Sequence, residues 1–203
     1  MSLLCLLYMS SAFDCVDHAL LLKKLKLSFG ISRTALKWFE SYLIGCTHQV
    51  VFNDILSSVE VMSYGVPQGS VLGPLLFLLY TSDVFKIIEE YDFKYHAFAD
   101  DLQIFANCLF SNFDDLVDRM RCCLSSDDGW MTRHGLKLNQ CKTLFLPIGT
   151  WQQVSRINFK PIKINDSVIH FCTSARSIHV FFYTNMSMHT HIKSLSSECR
   201  YQL

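Results

Sequence analysis

A chain of 203 residues that is 50% hydrophobic and 18% charged is long enough to bury one core and too apolar to be disordered. Its formal net charge is zero, which excludes a surface-wide basic coat of the kind that drives non-specific affinity for phosphates; basic residues gathered on one face would be needed instead. Nine cysteines, an odd number with no Cys-x-x-Cys pair, exclude a disulfide framework and a zinc site of that spacing, and predict buried free thiols in a reducing compartment.

The apolar run at residues 3 to 9 falls short of the ~20 residues that span a bilayer and lacks the basic flank of a signal peptide. It reads as a strand covered on both faces. The chain is therefore expected to be soluble, cytoplasmic or nuclear, with no membrane partner. Asp17 is placed to cap a helix running through Leu20, Leu21, Leu22, Leu25 and Leu27 to a stop near Gly30. Within it, Lys23, Lys24 and Lys26 read as a helix face rather than a basic import signal. Ser32 starts a second helix with Leu36, Phe39, Tyr42 and Leu43 at helical spacing, and Gly45 follows as a stop. Residues 49 to 64 predict two strands with Asn53-Asp54 at the turn.

Gly65-Val66-Pro67-Gln68-Gly69 predicts a loop, after which Ser70 opens a very apolar helix through Leu72, Leu75, Leu76, Leu79 and Tyr80, buried on most sides. Residues 95 to 105 predict a hairpin with Ala99-Asp100-Asp101 at its tip. A long helix over 111 to 134 and a strand over 143 to 148 come next, then short strands near 161 to 164, 168 to 172 and 178 to 182. Asp114-Asp115 and Asp127-Asp128 read as solvated turns. The alternation of strands and helices predicts an α+β fold, a small antiparallel sheet backed by helices on one face.

Two strings carry chemistry. Adjacent carboxylates at the tip of an apolar hairpin, as in Phe98-Ala99-Asp100-Asp101, are costly unless a cation balances them, and a hard divalent cation takes oxygen ligands of this kind. Alone, an Asp-Asp pair is more often a solvated turn. The second string, Gly65-Val66-Pro67-Gln68-Gly69-Ser70-Val71-Leu72-Gly73-Pro74, has glycines that let backbone approach a ligand and a proline that stiffens the turn before a helix.

With Ser11-Ala12-Phe13-Asp14 ahead of them, these strings resemble motifs A, B and C of reverse transcriptases of LINE-type retrotransposons. Trp130-Met131, Leu136-Lys137-Leu138-Asn139 and Lys142-Thr143 resemble motif D. The resemblance implies a polymerase palm over residues 1–150 and a palm–thumb connection remnant with a tail over 151–203, with fingers largely missing and the thumb at most partial. It implies RNA-directed DNA polymerisation, with RNA template, DNA primer and dNTP as partners, by two-metal nucleotidyl transfer with Mg2+ or Mn2+. By motif position Asp100 and Asp101 become catalytic metal ligands, Phe13 the gate under the nucleotide sugar, Gln68 and Gly69 contacts to the incoming nucleotide, and Lys142 a cation near the triphosphate. Read without the family, Phe13 is core, Gln68 a loop amide and Lys142 a solvated cation.

The family's motif A runs Asp-x-x-x-Ala-Phe, and here its first position is Tyr8. A phenol with a pKa of ~10 is neutral at pH 7 and cannot balance a cation. Asp14 lies six residues further on, about 20 Å along a strand at ~3.3 Å per residue. The sequence therefore predicts a reverse transcriptase domain that is inactive in this chain, the alternative being a non-catalytic nucleic-acid-binding or functionless remnant of a retrotransposon. Ser177-Ile178-His179-Val180 stands where relatives carry a Leu-Gly turn (motif E), which predicts backbone strain. His189, Thr190, His191 and Cys199 lack the spacing of a metal cluster.

Overall fold

The computed structural model describes the chain except Gln68, Gln140, Asn165, Asp166, His179, 186–191, 194, 195, 198 and 200–203. The expectations placed on Gln68, His179, His189, Thr190 and His191 fall outside the described residues.

Strand β1 (Ser2–Ser10) is the axis of the fold. Leu3, Cys5, Leu7 and Met9 join one core cluster, Leu4 and Leu6 a second, and all six are buried. Strict alternation with both sets buried is what a strand covered on both faces requires. A short 3-10 turn at Phe13–Cys15 leads into α1 (His18–Leu27), whose first turn is capped by Asp17 accepting from the Leu20 amide at 2.8 Å. Helix α2 (Arg33–Leu43) follows Ser32, and Gly45 beyond it takes a φ of +81°. The lysine face of α1 is only partly solvated. Lys24 donates from Nζ to the Tyr80 carbonyl and to Asp83, each at 2.8 Å, beneath the Trp130 ring.

The two strands expected over 49 to 64 are broken into β2 (Thr47–His48), β3 (Val51–Phe52), β4 (Ile55–Leu56) and β5 (Glu60–Val61). β3 pairs with β4 around Asn53 and Asp54, both at positive φ, and β2 pairs with β5. Every residue from 47 to 61 is exposed, so nothing packs on the ladder to lengthen it. Helix α3 (Gly73–Tyr80) begins at Gly73 rather than Ser70, because the Ser70 hydroxyl accepts the Gly73 amide at 3.0 Å and Pro74 sits in the first turn. Leu76, Phe77 and Tyr80 are buried while Leu75 is exposed, so one side of α3 is open, against expectation. Helix α4 (Ser82–Glu90) follows after Thr81 alone; no glycine or proline separates the two helices, and Thr81 at the cap with Asp83 in the first turn are the only local start signals.

Strands β6 (Lys94–Phe98) and β7 (Asp101–Asn107) form the expected hairpin, and α5 (Phe113–Arg133) the expected long helix. β8 (Lys137–Leu138) and β9 (Leu144–Ile148) share the edge of β1 opposite β7, giving an antiparallel sheet ordered β6-β7-β1 and then β9 or β8. Leu21 and Leu25 of α1, Leu76 and Phe77 of α3, Ile88 of α4, and Met120 and Leu124 of α5 cover the Leu3–Cys5–Leu7 face. After α6 (Trp151–Val154) come two hairpins, β10 (Ile162–Ile164) with β11 (Ser167–Ile169), and β12 (Ser174–Ser177) with β13 (Val180–Tyr183). Ala175 and Phe182 of the last hairpin close over Leu4, Leu6 and Leu146 on the second face. Strand β12 went unforeseen, because Ser-Ala-Arg-Ser carries no β-branched or aromatic residue.

The acid pairs outside the hairpin are helical, not turns. Asp114 and Asp115 stand in the first turn of α5, where the helix dipole favours them. Asp127 is 0% exposed. Its Oδ1 has no hydrogen-bond partner among the described residues, and the Cys123 thiol reaches Oδ2 at 3.8 Å. Burial pushes its carboxyl up to about 8. All nine cysteines are free, but only Cys5 and Cys123 are buried, and Cys122, Cys141 and Cys199 are exposed.

Candidate active site

The end of β1 meets two turns. The first belongs to the loop that begins at Gly65. Its amide donates to the Val16 carbonyl at 2.8 Å, and the Val66 amide to the Phe13 carbonyl at 2.9 Å. Gly65 has a φ of +90°, and a Cβ there would lie 3.1 Å from the Asp14 Cα, so the close approach requires glycine. The buried His18 ring fixes the same point, with Nε2 2.6 Å from the Gly65 carbonyl. His18 was missed by sequence reasoning; a histidine one residue after a helix cap carries no signal of its own. Phe13 is half-buried and packs on Phe77 at 5.1 Å between centroids. With Pro67, Gly69, Ser70, Gly73 and Pro74 it lines a cleft of about 390 Å³. Phe13 and Gly69 are thus brought together.

The second turn carries the acids. Phe98 and Asp101 close the β6–β7 ladder, leaving Ala99 and Asp100 as the two turn residues. Only Ala99 has positive φ, +54°, as in a II′ turn, where glycine is favoured at that position. Tyr8 of β1 pairs directly with Asp101 of β7, and directly opposed residues point to the same face. Burial and the Asp101 and Asp100 carboxylates hold the Tyr8 phenol above its ordinary range, opposed by a hydrogen bond from Ser177. The phenol is therefore a neutral donor, and its hydroxyl donates to the Arg176 carbonyl at 3.3 Å. Burial also raises the Asp101 carboxyl, Asp100 adds to the shift, and Lys142 opposes it. Lys142 sits in a turn whose Asn139 amide donates to the Tyr8 carbonyl at 2.7 Å, so a backbone bond from β1 helps to place this exposed cation.

The structure thus gathers Tyr8, Asp100, Asp101 and Lys142 at one corner. Among the described residues no group of three His, Cys, Asp or Glu side chains is placed to hold a metal ion. Two carboxylates and a neutral phenol supply one acidic ligand fewer than the family's motif pattern calls for, so the donor set does not fit a pair of divalent cations. Gln103 was missed, although it shares a face with Asp101 by strand parity; Ser177 was read only as the start of the turn in the motif E position, and its place beside Gln103 comes from the fold.

An antiparallel sheet backed by helices, with an acid pair at a central hairpin tip and a glycine-rich loop docked beside it, defines the palm of a nucleic-acid polymerase. The chain matches the reverse transcriptase (RNA-dependent DNA polymerase) family over residues 3–179, and it belongs to that family. It is 27% identical over 198 residues to the probable RNA-directed DNA polymerase from transposon BS of Drosophila melanogaster, covering 94% of this chain and 21% of the relative. It is 26% identical over 203 residues to the RNA-directed DNA polymerase from mobile element jockey of Drosophila funebris, covering 97% of this chain and 21% of that protein. The chain therefore spans about a fifth of the length of these relatives. Two solved structures share the fold. Telomerase from Candida tropicalis in complex with a TWJ fragment of telomeric RNA superposes with a TM-score of 0.56 at 14% identity, over 96% of this chain and 33% of that one. Telomerase from Candida albicans gives 0.53 at 15% identity, over 100% and 36%. The resemblance to LINE-type reverse transcriptases read from the motifs is borne out, as is the α+β palm. No helix among the described residues is long and apolar enough to cross a membrane.

Proposed function

We propose that this chain is the palm of an RNA-directed DNA polymerase in which nucleotidyl transfer is silent. The observation that carries this reading is Tyr8 standing opposite Asp101. Reverse transcriptases use divalent cations, which balance charge at the primer 3′-hydroxyl and the triphosphate when bound. Here the residue facing the acid pair is a neutral donor, engaged with the Arg176 carbonyl, and it adds no negative charge to hold a cation. Asp100 and Asp101 alone would leave a cation short of acidic ligands and only loosely held. Phe13, Gln68 and Gly69 retain the family's residue types for nucleotide contact, and Lys142 for the phosphates. RNA template and DNA primer are the partners that this reading assigns. Residues 1–150 form the palm proper on this reading, and 151–203 a connection towards a thumb with a tail. On this reading the chain acts in the cytoplasm or the nucleus.

Primer extension on an RNA template tests this reading. The unaltered chain is expected to add no nucleotide in Mg2+ or Mn2+. Tyr8→Asp, carried in a chain that also supplies the segments found in its longer relatives, is expected to extend the primer. Extension by the unaltered chain that is lost in Asp100→Ala would overturn the reading.

A further inference from the structure

The hairpin of β12 and β13 ends in a turn between Ser177 and Val180, where Ile178 takes a φ of +46°. A β-branched residue at positive φ is held there by its surroundings. Two side chains from the central sheet hold this end. Gln103 of β7 donates from Nε2 to the Ser177 hydroxyl at 2.9 Å, and Ser177 is buried. Tyr8 of β1 donates to the Arg176 carbonyl at 3.3 Å. Gln103 lies two residues beyond Asp101 and so shares its face, and Tyr8 lies opposite Asp101. The turn end of the hairpin is thus tied to the face that presents the acid pair.

The chemistry of the tie depends on the residue at position 8. A carboxylate is acceptor-only, and so is the Arg176 carbonyl. An aspartate would be shorter than tyrosine and would repel that carbonyl instead of donating to it. The side chain that withholds a metal ligand is therefore also the one that supplies the donor.

We propose that the β12–β13 hairpin is a strap fastened over the acidic corner by Tyr8 and Gln103, so that Tyr8 closes the corner as well as depriving it of a carboxylate. The strap deepens the silent-palm reading and rests on it for the identity of the corner, but it makes a separate claim about hairpin motion.

Hydrogen exchange on the full chain tests it, read at the paired amides of β12 and β13 with those of β1 and β7 as the internal control. The double variant Tyr8→Phe/Gln103→Ala keeps the aromatic ring and removes both ties. Its hairpin amides are expected to exchange about ten-fold faster, with the β1–β7 amides unchanged. Unchanged hairpin exchange in this variant would overturn the strap. Tyr8→Asp, measured in parallel for exchange and for Mn2+ binding, separates the two readings. A loosened hairpin with no Mn2+ site keeps the strap and removes the cation reading. A saturable Mn2+ site with hairpin protection at the unaltered level keeps the cation reading and removes the strap. Should Tyr8→Asp not fold, the double variant decides the strap alone.

Discussion

The two turns that meet the end of β1 differ in what holds them. The loop at Gly65 is fastened by backbone hydrogen bonds to Phe13 and Val16, by the His18 ring and by the absence of a Cβ at the point of contact. The acid turn is placed by the β6–β7 ladder, but its chemistry depends on which side chain stands opposite Asp101. A tyrosine there leaves the ladder intact, since pairing uses only backbone groups. On the proposed reading a palm keeps its geometry after losing a ligand, and fold likeness alone says little about activity.

The comparison breaks if the core behind both turns is itself compromised, and Asp127 measures that. Its carboxyl is raised from an ordinary 3.8 to about 8 by burial. Between those values the unfolded chain is ionised while the folded chain keeps its proton. The stability it contributes is full below about pH 4 and is lost as pH rises towards 8, by up to about 1.4 kcal/mol per pH unit. Thermal melts of the unaltered chain are expected to fall across this window, and Asp127→Asn to flatten the profile. A flat profile in the unaltered chain would place Asp127 in contact with water.

A smaller effect sharpens the loop side. Gly65→Ala is expected to cost about 2–4 kcal/mol in urea melts, from positive φ together with the clash against Asp14. Gly69→Ala, at a φ of +77° with open space around it, is expected to cost only the backbone strain, about 1–2 kcal/mol. Equal costs would mean that contact with Asp14 contributes nothing. The smallest effect belongs to the acid side. Asp100→Asn removes a like charge beside Asp101 and is expected to lower the Asp101 pKa, read by NMR titration, while changing stability by less than about 1 kcal/mol.

What could be read in advance follows from range. The loop string, the acid tip, the Asp17 cap and the buried strand are local patterns, and the structure places them where the sequence does. Helix α4 was hidden because α3 runs into it without a breaker, and β12 because its residues have no strand preference. Asp127 was misread because its helix turns it towards β1, a tertiary fact that an Asp-Asp dipeptide does not encode. Tyr8 was recognised as a changed position, but its partners Arg176 and Ser177 lie far along the chain and only the folded sheet brings them near.

The account stands on a corner short of one acidic ligand, and Mn2+ binding read by electron paramagnetic resonance tests this most directly. The unaltered chain is expected to show no saturable Mn2+ site below millimolar concentration. A tight, saturable site that disappears in Asp100→Asn would contradict it, because the acid pair and its neighbours would then hold a cation without the missing carboxylate.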